Sequence, residues 1–120
     1  MAKSFYENVA LHDFERRALA EGEKSKNVVL HFNPRSSTPM FVACVWDLWR
    51  APGKPDLYSF AAITDEPPAE VAATGHDRCI IPLEAAAIDA WLDPTNAGRA
   101  ALAALLDRRE RPYFEHRLAA

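Results

Sequence analysis

The sequence is short of most residues that announce a chemistry: two cysteines, two methionines and four glycines among 120 residues. Neither cysteine belongs to a Cys-x-x-Cys pair. The histidines, His12, His31, His76 and His116, have no zinc-like spacing, so no metal and no cofactor is expected. No apolar run approaches the roughly 20 residues of a membrane helix, and the N-terminus has no signal-peptide core. The expectation is a cytoplasmic chain with no membrane partner. Basic charge is also scarce: the net charge is −3 and the pI about 5.8. Indiscriminate nucleic-acid binding needs a broad basic field and is excluded, but a small local phosphate site is not. There is no repeat, no low-complexity stretch and no long linker, so residues 1–120 are expected to form a single domain.

What is present is ordinary for a folded chain, with 49% hydrophobic and 26% charged residues. "NVVLHF" (27–32), "MFVACVWDLW" (40–49) and "LYSFAAIT" (57–64) are rich in β-branched and aromatic residues and predict strands. Between them, "NPRSSTP" (33–39) and "APGKPD" (51–56) predict turns. "DEPPAEVAATG" (65–75) predicts a short helix stopped by Gly75, followed by a short strand at "DRCIIP" (77–82). "LEAAAIDAWL" (83–92) places Ile88, Trp91 and Leu92 on one helical face. "TNAGRAALAALLDRRE" (95–110) does the same with Leu102, Leu105 and Leu106. Strands first and short helices later give an α+β class, mainly antiparallel sheet with short covering helices.

Two residues are candidates for chemistry on local grounds. His76 follows Gly75 at a junction from helix to strand, and imidazole titrates nearest neutral pH. A capping or surface histidine is the plainer reading, and local sequence alone favours it. Glu7 stands behind the aromatic pair Phe5-Tyr6, and apolar neighbours prepare a carboxyl for proton transfer. Most glutamates near a terminus are merely solvated. Cys44 and Cys79, in apolar segments, are expected to be buried free thiols. The basic clusters Arg16-Arg17-Lys24-Lys26 and Arg108-Arg109-Arg111 are expected to be solvated helix ends.

Taken together, "SFYEN", "FVACVWDLW", "FAAITDE" and "GHDRCIIP", followed by "AWLDP", resemble in order and spacing the SOS response-associated peptidase (SRAP) family. These proteins shield abasic sites in single-stranded DNA. The family's Gly-Phe-Tyr-Glu-Trp motif is similar to Ser4-Phe5-Tyr6-Glu7-Asn8, and its Gly-Leu-Trp-Glu-x-Trp strand to Cys44-Val45-Trp46-Asp47-Leu48-Trp49. Its threonine-bearing strand end is similar to Ile63-Thr64-Asp65. Its His-Asp/Asn-Arg-Met-Pro motif is matched at His76-Asp77-Arg78 and then departs, with Cys79-Ile80 in place of Met-Pro.

The resemblance implies part of a β-barrel-like fold, with Glu7 and His76 as catalytic groups and Thr64 and Arg78 lining a DNA site. It also implies something missing. In the family a cysteine exposed by methionine removal condenses through its amine and thiol with the abasic aldehyde, giving a thiazolidine. An Asn-Ala-Arg segment upstream of the glutamate helps bind phosphate and sugar. Here position 2 is Ala2 and no Asn-Ala-Arg segment occurs. The chain resembles the family's C-terminal half, and its expected partners are single-stranded DNA with an abasic site and either a complementing N-terminal segment or a second copy. The alternatives are a non-catalytic SRAP remnant serving as a DNA-binding or interaction module, and an unrelated small α+β protein. Trp46 and Trp91 are expected to be mostly buried, and base stacking by Trp46 and Trp49 is the less favoured role.

Overall fold

Successive side chains of a strand point to opposite faces, so Phe5, Glu7 and Val9 share one face of the first segment, and Val28, Leu30 and Phe32 share one face of the second. The computed structural model describes residues 1–95 and 98–119. In chain order its elements are β1 (Phe5–Ala10), α1 (Leu11–Phe14), β2 (Asn27–Pro34), β3 (Phe41–Val42), β4 (Cys44–Trp49), β5 (Leu57–Ala62) and β6 (Thr64–Asp65). Then come α2 (Ala69–Ala72), β7 (Cys79–Ile80), β8 (Pro82–Leu83), a 3₁₀ turn (Ala85–Ala87), α3 (Ile88–Leu92), α4 (Arg99–Asp107) and β9 (Phe114–Leu118). The class is α+β with mostly antiparallel sheets and a few short helices, and no sheet closes into a barrel among the described residues.

The chain forms two compact units. The first takes Met1–Met40, Asp65–Cys79 and Arg111–Ala120. It is built on an antiparallel sheet in the order β1-β2-β9. Register sets Phe5 opposite Phe32, Glu7 opposite Leu30 and Val9 opposite Val28, so these residues share one face. That face carries the core: Val9, Leu30, Phe32 and Phe114 are buried, with Val71 and Thr74 from the α2 region. The Phe5 ring stacks on Phe32 at 5.0 Å and meets Phe114 edge-on at 5.1 Å. The Glu70 carboxylate accepts the Phe114 backbone N–H at 3.0 Å and so ties α2 to the start of β9. The β9 strand has no counterpart in the sequence reading, because "FEHRL" is short and highly charged.

The second unit takes Phe41–Thr64 and Ile80–Glu110. Its core is Ala43, Ile81 and Leu83, packed by Ile63, Trp91 and Leu106. The expected single strand over 40–49 divides at Ala43. β3 pairs with β8, and β4 pairs with β5 in a separate two-stranded ribbon. Ala43 is the pivot: its N–H donates to Ile81 O and its carbonyl accepts from Ile63 N, both at 2.9 Å. Trp91 is half-buried, and its indole N–H donates to the Cys44 carbonyl at 3.2 Å. Trp46 departs from expectation. It is 71% exposed, because it lies on the ribbon beyond the point where β3 leaves the core. Leu92 is also exposed, whereas Ala87 of the 3₁₀ turn is buried. Leu102, Leu105 and Leu106 form the inner side of α4; positions 96 and 97 of the expected helix lie outside the described residues. Cys79 is buried and Cys44 half-buried, and the two are not joined in a disulfide.

Candidate active site

Glu7 is the one charged residue among the inward-facing positions of β1, between Phe5 and Val9. A carboxylate on an apolar sheet face needs a partner, since burying an unpaired charge is costly. The partner comes from the far end of α2. The Thr74 hydroxyl donates to Val71 O at 2.7 Å and closes the helix, and Gly75 then turns the chain with φ +90°. Only glycine fits there. A Cβ on Gly75 would meet Asp13 Cβ at 2.7 Å and Val9 Cγ1 at 3.4 Å, besides adopting a left-handed conformation. The turn delivers His76 to Glu7, with Nε2 3.1 Å from the carboxylate oxygen. The two side chains are 17% and 25% exposed, enough for a reactant to reach them.

The other ring nitrogen is seated by backbone. His76 Nδ1 lies 2.8 Å from the Arg78 carbonyl and 3.2 Å from the Arg78 N–H. In the neutral ring with its proton on Nε2, Nδ1 accepts from the Arg78 N–H and Nε2 donates to Glu7. In the imidazolium both nitrogens donate, Nδ1 to the Arg78 carbonyl and Nε2 to Glu7. The ring therefore keeps one orientation in both protonation states. Such an arrangement can take up and hand on a proton without rearranging.

Three of the four residues singled out by sequence share the first unit: Glu7 and His76 in contact, and Arg78 two residues on, its side chain exposed to solvent. The expected strand start at 77 is instead extended loop up to Arg78, held by the ring-to-backbone contacts. Thr64 is half-buried and closes the first segment of the second unit. Sequence reasoning missed Asp13, against which Gly75 packs, and Glu70. A glycine directly before a candidate histidine was the available signal for the first; nothing local marks the second. Among the described residues no group of three or more His, Cys, Asp or Glu side chains is placed to hold a metal ion, and no helix is long and apolar enough to cross a membrane.

A carboxylate and an imidazole in contact on the inner face of an antiparallel sheet, reachable from solvent, can exchange a proton with a bound molecule. The family model described as SOS response associated peptidase (SRAP) matches residues 1–118, and the chain belongs to that family. No curated protein and no solved structure matches it.

Proposed function

We propose that this SRAP protein acts in the cytoplasm on abasic sites in single-stranded DNA. Glu7 and His76 are its proton-transfer pair, Arg78 and Thr64 contact the strand, and the nucleophile is not among residues 1–120. The observation that carries the reading is the 3.1 Å contact between His76 Nε2 and the Glu7 carboxylate. An abasic sugar must open from its ring form before an amine can add to the C1′ aldehyde. Opening needs a proton on the ring oxygen and loss of one from the hydroxyl. Addition of the amine gives a carbinolamine, which loses water to form an imine. A thiol on the same residue then adds across the C=N bond, its proton passing to nitrogen. Each step moves a proton over a short distance, which a Glu–His pair serves, typically by 10²–10⁴-fold. Arg78, exposed beside the imidazole, suits a backbone phosphate.

No nucleophile is assigned among residues 1–120, because a thiazolidine needs an amine and a thiol on one residue, and the nitrogens of Cys44 and Cys79 are locked in peptide bonds. Ala2 has no thiol to close a thiazolidine. A denaturing gel of an abasic oligonucleotide tests the reading. The chain alone gives no borohydride-independent shifted band. Addition of a segment starting with cysteine gives one, and Glu7→Gln or His76→Ala slows its appearance. A lasting band from the chain alone, or no band under any complementation, overturns it.

A second reading, a non-catalytic SRAP-derived interaction module, is favoured by one observation. Trp46, Tyr58 and Phe60 on the β4–β5 ribbon are 71%, 68% and 81% exposed. Apolar patches of this kind mark contact surfaces. A different polypeptide is the occupant we assign to it, and a second copy of the chain is the competing outcome, told apart by light scattering of the chain alone.

A further inference from the structure

The face of the three-stranded sheet turned away from Glu7 carries a built row of side chains. Tyr6, His31 and Arg117 stand directly across from one another on β1, β2 and β9. The Tyr6 ring lies flat on the imidazole, with centroids 4.4 Å apart and planes 7° from parallel. On the other side, Nε and Nη2 of Arg117 each approach His31 Nδ1 at 3.4 Å. Arginine can only donate, so Nδ1 is the acceptor and the ring proton sits on Nε2, which is buried without a hydrogen-bond partner among the described residues. The imidazole is thus sealed from solvent at one nitrogen and occupied at the other. It holds the phenol and the guanidinium in place and offers no polar atom of its own.

The two groups it holds are open. Tyr6 is 59% exposed, and Arg117 is exposed with no carboxylate partner among the described residues. The acid two residues before it, Glu115, is engaged by Arg35 at 3.1 Å. With Leu118 and Ala119 they line a cleft of about 310 Å³, at the small end of ligand sites. A fixed aromatic plane beside a fixed, unneutralised guanidinium matches a base beside its phosphate, the pairing by which proteins hold single strands. Because the row is ordered beforehand, binding does not have to immobilise either side chain.

We infer that Tyr6 and Arg117 form a second nucleotide-binding site, taking one undamaged nucleotide of the single strand, the base on Tyr6 and the phosphate on Arg117. The inference rests on the abasic-DNA reading for the identity of the strand. Tyr6 and Glu7 are neighbours on β1 and face opposite sides of the sheet. One nucleotide cannot touch both, and a strand engaging both sites passes round the outer edge of β1.

The test is anisotropy of a labelled oligothymidylate of about twelve nucleotides, without an abasic site, titrated across salt from roughly 20 to 200 mM. Arg117→Ala is expected to weaken binding roughly tenfold at low salt and to reduce the salt slope by about 0.7. Arg117→Lys keeps the slope, and Tyr6→Leu weakens binding without changing it. Thermal midpoints check that the variants are folded. A measurement on the unaltered chain accompanies them: the His31 ring-proton resonances shift on adding thymidine 5′-monophosphate, and far less with inorganic phosphate. If both alanine and leucine variants bind as the parent does, or the His31 resonances stay still, the second site is wrong while the Glu7–His76 reading stands. If phosphate alone gives the full shift, the nucleotide assignment is wrong. If the chain binds neither intact nor abasic oligonucleotide and the complemented chain forms no adduct, both readings fall.

Discussion

Phe32 and Trp46 each sit mid-strand opposite an aromatic residue, Phe5 in one case and Phe60 in the other. Phe32 is wholly buried and Trp46 is 71% exposed. The difference lies in what each strand pair is given to lean on. β1 and β2 have a third strand, β9, and the α2 turn on their inner face, tied in by Glu70 and sealed by Val71 and Thr74. Among the described residues β4 and β5 pair as strands only with each other, and every residue of β5 is exposed. A lone two-stranded ribbon is marginal in water, whereas three strands with a covered face are self-supporting. Aromatic content makes a strand, and a neighbouring layer makes it a core.

Removing the same kind of side chain from each region puts the comparison to its severest test. Phe32→Ala should destabilise the chain by about 3–5 kcal/mol, read as a large fall in thermal midpoint. Trp46→Ala should leave the midpoint within about 0.5 kcal/mol of the parent. Equal losses at the two sites would mean that the ribbon is covered in solution and that the contrast is false.

Next in size is Gly75→Ala, which forces a Cβ into Asp13 and a side-chain-bearing residue to φ +90°. Strain of this order costs about 1–3 kcal/mol. It should also displace His76 from Glu7, seen as a change in the His76 ring resonances. A third variant, Glu70→Ala, leaves the Phe114 N–H without its acceptor beneath a buried ring. About 1–3 kcal/mol is expected, with faster amide exchange confined to β9. Loss spread evenly over β1 and β2 would show that α2 supports the whole sheet rather than its last strand.

The smallest effect lies in the loop after α1. Arg17 donates to Glu23 at 2.7 and 2.8 Å, and the Ala20 N–H donates to the same carboxylate. The arginine above all holds the Glu23 carboxyl down at about 2, from an ordinary 4.5. The depressed carboxyl contributes above pH 4.5, and the contribution fades as pH falls toward 2. An NMR titration of the Glu23 side-chain carboxyl carbon, which the Arg17 Nη1 and Nη2 protons reach, should move across that window. The ion pair lies at the surface and is screened by solvent, so the global midpoint should barely respond.

Much of this was legible in the residues. The α+β class followed from strand-like runs preceding short helical ones, and the Leu102/Leu105/Leu106 face followed from helical spacing. The Glu7–His76 pairing became visible through the ordered motifs, not through either residue's neighbours. What sequence could not supply was layering. "FVACVWDLW" reads as one core strand because its composition is uniform, yet the pairing changes at Ala43, where backbone groups divide between Ile81 and Ile63. β9 was hidden for the converse reason: Glu115, His116 and Arg117 are polar, and only Phe114 of that strand is buried. The Tyr6–His31–Arg117 row brings together residues 25 and 86 positions apart across three strands, a register that no local pattern contains.

The seat of His76 has a consequence for dissecting position 78. Both contacts to Nδ1 come from the main chain of Arg78, so the identity of its side chain is free to drift without unsettling the imidazole. Under the proposed function, recognition and proton handling are thereby separable within a single residue. Arg78→Ala strips the guanidinium and keeps both main-chain contacts. Arg78→Pro deletes the N–H that serves the neutral ring and keeps the carbonyl that serves the charged one. A pair of substitutions at one position can therefore report on affinity and on proton traffic independently.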